Sequence, residues 1–228
     1  MTKPKLEKAP PVKATPVLSG LVIASLACAV FFLLLFAWLA EEVFEGQAKQ
    51  FDAHVRAFIH QFASPALTAT MRTVTMFGSV EIVALLFAVC LGIFLFVKWW
   101  RAATWLAIAM AGELVLDFTL KQTFHRARPV PFFGPVPLSY SFPSGHSLGS
   151  FCFYGVLAGL LTGRIRRVLF RVFIWIAAAL LVLAIGISRI YLGVHYPTDV
   201  VAGYLAAAVW VSTLLVADRL RLPGKSKA

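Results

Sequence analysis

The sequence predicts an all-α integral membrane protein, a bundle of six transmembrane helices with short amphipathic helices on its extracytoplasmic side. Sixty per cent of the 228 residues are hydrophobic and only 14% are charged, whereas a soluble domain carries about 25% charged residues. The hydrophobic residues form six runs of 17 to 24 residues, and a spanning helix needs roughly 20. Because these runs are continuous and do not alternate with polar residues, they favour helices over a transmembrane β-barrel.

The predicted spans are, in chain order, residues 17–40, 79–97, 102–120, 147–163, 172–188 and 200–217. The first run is too long for a cleaved signal peptide, and Trp38 stands where cleavage after the run would need a small residue. We therefore expect this span to be retained. The chain then divides into a disordered basic cytoplasmic tail (1–16), a six-helix membrane domain (17–217) and a second basic cytoplasmic tail (218–228).

The segment 41–78, between the first two spans, is mostly polar. Apolar residues recur in it at helical spacing among charged and polar ones, and they are Phe51, Val55, Phe58, Ile59 and Phe62. This pattern predicts an amphipathic helix. Ser64 and Pro65 predict the cap and the first residue of a second short helix. Both helices either lie on the membrane surface or form a lid against the protein's own loops.

The positive charges predict the orientation in the membrane. With the N-terminus inside, 14 of the 21 Lys and Arg residues fall in cytoplasmic segments and seven fall outside. Membrane proteins concentrate basic residues in their cytoplasmic segments, so both termini are expected in the cytoplasm. The net charge of +11 is then mainly a topology signal, and we expect no nucleic-acid partner.

Under this topology, polar residues gather at the outer ends of four spans. These residues are Lys121, Arg126, Arg128, Pro143, Ser144, Gly145, His146, Ser188, Arg189, His195 and Asp199. Arg and Lys side chains bind phosphate oxygens, and the free N–H groups at the start of a helix also favour an anion. The layer therefore predicts a phosphate pocket, with three fixed positive charges on Lys121, Arg128 and Arg189.

Two histidines complete the predicted pocket. Asp199 follows His195 by four residues, so it can hold a proton on one ring nitrogen and leave the other free to act as a nucleophile. His146 can protonate a leaving group and later activate water. A metal site formed by His146, His195 and Asp199 is a second interpretation, which the three neighbouring cations disfavour.

The order and spacing of these residues resemble the three-part signature of the type 2 phosphatidic-acid phosphatase superfamily. The matching segments are Lys121 with six residues to Arg128-Pro129, then Pro143-Ser144-Gly145-His146, then Ser188-Arg189 with five residues to His195 and three more to Asp199. The resemblance implies that His195 forms a phosphohistidine and that Asp199 orients it. It makes His146 the general acid and then the base. It assigns the phosphoryl oxygens, without a metal or other cofactor, to Lys121, Arg128, Ser144, Gly145 and Arg189.

The expected protein is thus a metal-independent phosphatase of a bacterial cytoplasmic membrane, with its site facing the periplasm or exterior. Its substrate would be a lipid phosphate or pyrophosphate that reaches the site from the bilayer. By analogy with small bacterial members of the family, undecaprenyl pyrophosphate is the first expectation. Phosphatidylglycerophosphate, phosphatidic acid and a lipid A phosphate are alternatives, and a lipid phosphotransferase would use the same site.

Two acidic residues lie within the third predicted span. Asp117 stands one helical turn before Lys121, and we expect the two to form an ion pair that positions Lys121. Glu113 lies roughly 12 Å deeper in the membrane than Lys121, at 1.5 Å per residue. There it would be protonated or bonded to a neighbouring helix, and its role stays open. Glu81, His125 and Arg126 lie near the predicted pocket but outside the signature, and their roles stay open.

Overall fold

The computed structural model describes residues 16–220, and within this range helices are the only regular secondary structure. The helices are α1 (Pro16–Phe44), α2 (Lys49–His60), α3 (Pro65–Met76), α4 (Val80–Phe96), α5 (Trp100–Phe124), α6 (Gly145–Thr162), α7 (Val168–Tyr191) and α8 (Pro197–Leu220). The predicted all-α class is confirmed. Of the two predicted basic tails, residues 1–15 and 221–228 lie outside the described range, and residues 218–220 continue α8 instead of starting a tail.

Serine side chains cap the start of three helices. The hydroxyl oxygen of Ser64 accepts a hydrogen bond from the Leu67 N–H at 3.3 Å, and Pro65 follows it in the first turn of α3. Ser79 and Ser144 cap α4 and α6 in the same way. A capping oxygen satisfies an N–H that has no partner within the helix, so the predicted start of α3 is confirmed.

Four helices are long and apolar enough to cross a membrane within the described range, namely α1 from Val22 onward, α5, α7 and α8. A fifth span results if α3 and α4 are taken together as one span bent by 45°. Large apolar side chains on the outer faces are more than half exposed in the isolated chain, for example Leu34, Phe118 and Phe173. Lipid covers such faces in a membrane protein, so the chain is a multi-pass membrane protein, while the count of six stays a prediction.

Helix α6 carries polar and small residues within a predicted span, and its position in the bundle explains them. It packs against α4, α5, α7 and α8, so protein and not lipid surrounds it. Its inner positions carry small and hydroxyl side chains, including the fully buried Ser147 and Ser150. Small residues let neighbouring helices approach closely, and this position does not require a continuous hydrophobic surface.

Five helix ends meet at one side of the bundle. The first residues of α4, α6 and α8 lie there together with the last residues of α5 and α7. The short helices α2 and α3 pack on the same side, α2 against α7 and α8 and α3 against α7. Successive long helices therefore run in opposite directions, and this arrangement brings three distant parts of the sequence to one layer.

Candidate active site

A cavity of about 340 Å³ lies where these helix ends meet. One end of the cavity is polar and is lined by Lys121, Arg128, His146, Arg189 and His195. The other end is largely apolar and runs between α4 and α5, where its wall contains Val80, Val83, Ala84, Phe87, Met110 and Leu114. All three segments of the sequence signature thus contribute to a single cavity, as the sequence predicts.

His195 lies in the short connection between α7 and α8 and is 1% exposed. Its Nδ1 is 3.4 Å from Oδ2 of Asp199, and its Nε2 is 2.8 Å from Nη1 of Arg128. A guanidinium group can only donate, so Nε2 is the acceptor and the ring proton resides on Nδ1, facing Asp199. Nε2 therefore carries the lone pair, which accepts from Arg128 at the wall of the cavity.

The environment of His195 keeps its ring neutral. Burial is the main cause that lowers the pKa of His195 to about 4, and the charges of Arg128 and Arg189 lower it further. Asp199 opposes this effect. At neutral pH the imidazole is thus unprotonated at Nε2, which is the state that a nitrogen nucleophile requires.

Arg128 is held by the loop between α5 and α6 and by the chain before His195. Its Nε donates to the Ser139 carbonyl at 2.7 Å, and its Nη2 donates to the Ser139 hydroxyl at 2.9 Å. Its Nη1 donates to the Val194 carbonyl at 2.9 Å as well as approaching His195. The guanidinium is fixed directly beside Nε2, where an anion bound for attack by that nitrogen would lie.

Lys121 and Gly145 form the next part of the wall. Lys121 Nζ lies 2.7 Å from Oδ2 of Asp117, so the predicted ion pair is confirmed. A Cβ atom on Gly145 would lie 2.9 Å from the other Asp117 carboxylate oxygen and 3.0 Å from Lys121 Nζ. Only glycine lets the start of α6 come this close to the ion pair.

Arg189 closes the cavity from the end of α7. Its Nη1 donates to the hydroxyl of Thr75 on α3 at 2.8 Å. Its Nε is buried and has no hydrogen-bond partner within the described residues. A buried donor without a partner is costly, and an anion in this cavity would supply the missing acceptor.

Ser144 is placed differently from the other signature residues. Its side chain is fully buried, caps α6 and contacts the Ser147 hydroxyl at 3.1 Å. It is absent from the cavity wall, whereas Gly145 and His146 belong to it. The phosphate-binding role of Ser144 stays a prediction, and its visible role is to fix the start of α6.

The structure also places the residues whose roles the sequence left open. Glu113 lines the deeper, apolar part of the cavity and is 6% exposed. Glu81 and His125 are exposed and do not line the cavity. Arg126 lies behind Asp199 and forms an ion pair with it. Within residues 16–220, no group of three His, Cys, Asp or Glu side chains is arranged to hold a metal ion.

The profile of the PAP2 superfamily matches residues 102–221, which cover all three segments of the signature. The chain belongs to the PAP2 superfamily. It is 30% identical over 179 residues to phosphatidylglycerophosphatase B of Bacillus subtilis, a match that covers 77% of this chain and 87% of the relative. The chain is therefore a lipid phosphate hydrolase by family.

Other relatives match over a shorter stretch. The chain is 33% identical to an undecaprenyl-diphosphatase of Sulfolobus acidocaldarius over 49% of this chain and 52% of the relative. It is 35% identical to a lipid A 1-phosphatase of Rhizobium johnstonii over 53% of this chain and 48% of the relative. The match thus spans about half the length of these two relatives.

The fold agrees with that of a solved PAP2 enzyme. The crystal structure of a transmembrane PAP2-type phosphatidylglycerolphosphate phosphatase from Bacillus subtilis aligns with a TM-score of 0.76 at 26% identity, covering 87% of this chain and 98% of that chain. The crystal structure of Aquifex aeolicus LpxE aligns with a TM-score of 0.54 at 26% identity over 74% and 94% of the two chains.

Proposed function

We propose that this protein removes phosphate from a membrane lipid through a phosphohistidine formed on His195. The observation that carries the proposal is the placement of His195 Nε2, unprotonated and 2.8 Å from Arg128, in a cavity whose other wall residues include Lys121 and Arg189. A neutral nitrogen nucleophile therefore lies among three cations. Such cations stabilise the charge that develops on a phosphoryl group during transfer.

In the first step, His195 Nε2 attacks phosphorus, and the bond from phosphorus to the lipid oxygen breaks. His146 gives its proton to that oxygen, which leaves as an alcohol or a lipid phosphate. Arg128 moves its Nη1 from Nε2 to a phosphoryl oxygen as the substrate enters. The Nδ1–H of His195 stays directed at Asp199, which stabilises the positive charge on the ring.

In the second step, His146 removes a proton from a water molecule. The resulting hydroxide attacks phosphorus, the bond from phosphorus to Nε2 breaks, and inorganic phosphate leaves. Lys121, Arg189 and the N–H groups at Gly145 and the start of α6 hold the phosphoryl oxygens in both steps. The reaction needs no metal in this scheme, so activity is expected in EDTA, and vanadate is expected to inhibit.

The apolar end of the cavity supports a lipid as the substrate. Val80 on α4 and Leu114 on α5 line this end, yet they are 70% and 60% exposed in the isolated chain. The cavity is thus open sideways between the two helices, towards the region that lipid would fill. We infer that a lipid brings its phosphate to the cations while its tail stays between α4 and α5.

Two substrates rank first. Undecaprenyl pyrophosphate is the expectation from the sequence, by analogy with small bacterial family members. The relative and the solved structure that match over most of both chains are named for phosphatidylglycerophosphate, which supports testing that lipid first. Phosphatidic acid and a lipid A phosphate follow, because the shorter matches include lipid A 1-phosphatases.

The helix ends also support a topology. Because five of them meet at the cavity, α4 to α8 cross in alternating directions. With α1 crossing before them, the proposed count is six, and the first residue of α1 and the last residue of α8 lie opposite the cavity. We propose that this opposite side is the cytoplasm of a bacterial cell.

Phosphate release by purified protein in lipid nanodiscs, measured across these four lipids, tests the proposal.

His195→Ala should remove nearly all turnover while leaving the fold intact. His146→Ala should accumulate an acid-labile, base-stable phosphoprotein with substrates that have good leaving groups. His125→Ala is the matched control, since His125 is exposed and outside the cavity wall. If His195→Ala keeps a tenth of the normal kcat, the nucleophile assignment is wrong. Transfer of phosphate to a second lipid and not to water would instead identify a phosphotransferase.

A further inference from the structure

A buried ion cluster lies directly behind the pair His195–Asp199. Arg126 joins two carboxylates from different helices, with Nη2 at 2.7 Å from Oδ2 of Asp52 on α2 and Nη1 at 2.5 Å from Oδ1 of Asp199 on α8. Both carboxylates are 0% exposed. None of the three residues lines the cavity, so the cluster does not contact a phosphate bound there.

The cluster determines how the carboxylate of Asp199 is oriented. Its Oδ1 accepts from Arg126, while its Oδ2 accepts from the Ser141 hydroxyl and, at 2.9 Å, from the Tyr196 N–H. The same Oδ2 lies 3.4 Å from Nδ1 of His195. Both oxygens are thus fixed by donors other than His195, so the direction of the carboxylate does not depend on the imidazole.

Asp52 in turn fixes Arg126 and the start of α8. Its Oδ1 accepts from the Thr198 N–H at 3.0 Å, and its Oδ2 accepts from the Thr198 hydroxyl at 2.8 Å. Arg126 also donates to the Thr198 hydroxyl at 2.8 Å and stacks over the ring of Tyr196 at 4.1 Å. An acidic group at a helix N-terminus is favourable, and here a different helix supplies it.

We propose that Arg126, held in place by Asp52, is a positioning residue for the reaction at His195. It keeps Asp199 ionised and directed at Nδ1, so that the proton stays on Nδ1 and the lone pair of Nε2 stays in the cavity. This inference rests on the proposed function of His195. Because Arg126 acts through Asp199 and not on the substrate, its loss lowers kcat and leaves KM nearly unchanged.

The first test is Arg126→Lys, which keeps the charge. A Lys ammonium is a compact point charge and cannot bridge two carboxylates as a guanidinium does. Partners that orient a histidine at a metal centre typically contribute about 10- to 100-fold to activity, and we expect a fall in kcat of about that size with KM changed by less than about threefold. The matched control is Arg101→Lys, at the ion pair with Asp218 on the opposite end of the bundle, where kcat should not change.

The second test separates positioning from a purely structural role. Arg126→Lys is introduced into an Asp199→Asn background, and the fall in kcat is compared with the fall in the wild-type background. If Arg126 acts through Asp199, the fall is much smaller in the Asp199→Asn background. If the cluster only ties α2 to α8, both backgrounds lose the same factor, and that result overturns the proposal, as does an unchanged kcat in Arg126→Lys alone.

A double variant keeps the proposal testable if Arg126→Lys does not fold. Arg126→Gln with Asp52→Asn removes one positive and one negative charge, so the net charge of the cluster is that of the wild type. The same comparison in the two backgrounds then applies to this variant. His195→Ala separates the two failures: if it stays active, the proposed function is wrong, whereas loss of activity there with no coupling between Arg126 and Asp199 refutes only the positioning role.

Discussion

At the scale of single residues, the burial of His195 leads to a prediction about its protonation. Because burial lowers its pKa to about 4, against an ordinary value of about 6.5, the ring should remain neutral at pH 6. Imidazole nitrogen shifts from NMR of histidine-labelled protein in nanodiscs should then report Nδ1–H and an unprotonated Nε2. The signal should change only as the pH falls towards 4.

The reference for this measurement is free imidazole in the same buffer, and His195→Gln identifies the signal. The sign follows from the direction of the shift: a lowered pKa means that the neutral form persists to more acidic pH. A ring at position 195 that is half charged near pH 6.5 would contradict the assigned environment, as would a proton on Nε2.

A second residue prediction concerns Gly145. In Gly145→Ala, the new Cβ would lie 2.9 Å from Asp117 Oδ1 and 3.0 Å from Lys121 Nζ, so the ion pair must shift. A displacement of the order of 1 Å at a reacting centre costs about 100-fold, and a fall in kcat/KM of about ten- to a hundred-fold is expected. Gly155→Ala on the same helix is the control, because its Cβ would meet only Phe151, at an ordinary 3.8 Å. Equal activity of the two variants would show that the close approach at Gly145 is unimportant.

The sequence predicts the residues of the cavity better than the residues behind it. The cavity residues can be predicted as a set, because the helix ends that carry them meet in one layer under the predicted topology. They are Lys121, Arg128, His146 and His195. The role of Asp52 cannot be predicted in this way, since its partner Thr198 lies 146 positions away and no motif or spacing in the sequence connects the two residues. The same is true of Ser141, which the sequence presents as an ordinary loop residue.

At the scale of elements, α2 shows what a periodic pattern can and cannot predict. The helix forms where apolar residues recur at helical spacing in the sequence. The side that faces the protein is mixed, since it carries the buried Asp52 together with the half-buried Val55 and Ile59. Phe51 and Phe58 are 56% and 59% exposed. In water the apolar side would pack inward. At a membrane the outer solvent includes lipid, so periodicity alone does not decide which face contacts the protein.

The gap between α4 and α5 gives a prediction for a whole element. Ala84 lines the apolar end of the cavity, so Ala84→Trp should obstruct it. Hydrolysis of a long-chain lipid phosphate should fall by about tenfold or more, since a shape change in a binding pocket has effects of that order. Hydrolysis of a short-chain, water-soluble phosphate should change little, because the tail does not reach this wall.

The control for this experiment is the neighbouring residue. Leu85 is 59% exposed and does not line the cavity, so Leu85→Trp adds the same side chain to a face that lipid covers. Both substrates should be hydrolysed by this variant at the wild-type rate. A uniform loss for both substrates in Ala84→Trp would indicate damage to the cations and not an obstructed path for the lipid.

At the scale of the whole molecule, the bundle brings the three segments of the signature together in one cavity, which also has apolar wall residues on α4 and α5. The central position of α6 allows His146 to stand between α5, α7 and α8, which carry or adjoin the remaining charged groups. Continuous apolar runs in the sequence predict six spans, and the two shortest helices among them have distinct surroundings: α4 is only 17 residues long, and α6 is packed against four other helices.

The last prediction is the orientation of the bundle. Fourteen of the 21 basic residues lie on the face predicted to be cytoplasmic. Of the other seven, Lys121, Arg128 and Arg189 line the cavity and Arg126 holds Asp199, so these four have a local reason to oppose the bias. The remaining asymmetry predicts that the cavity opens on the periplasmic or outer face.

Cysteine labelling in spheroplasts tests this orientation in a variant whose Cys28, Cys90 and Cys152 are replaced by Ala. Leu138 is fully exposed in the loop between α5 and α6, and Arg166 is exposed in the connection between α6 and α7. A membrane-impermeant maleimide should label Leu138→Cys in intact spheroplasts and Arg166→Cys only after permeabilisation. The two positions lie in the connections at opposite ends of α6, so each one is the control for the other. The reverse pattern would place the cavity in the cytoplasm, and a lipid whose phosphate is exposed on the outer leaflet could then no longer be the substrate.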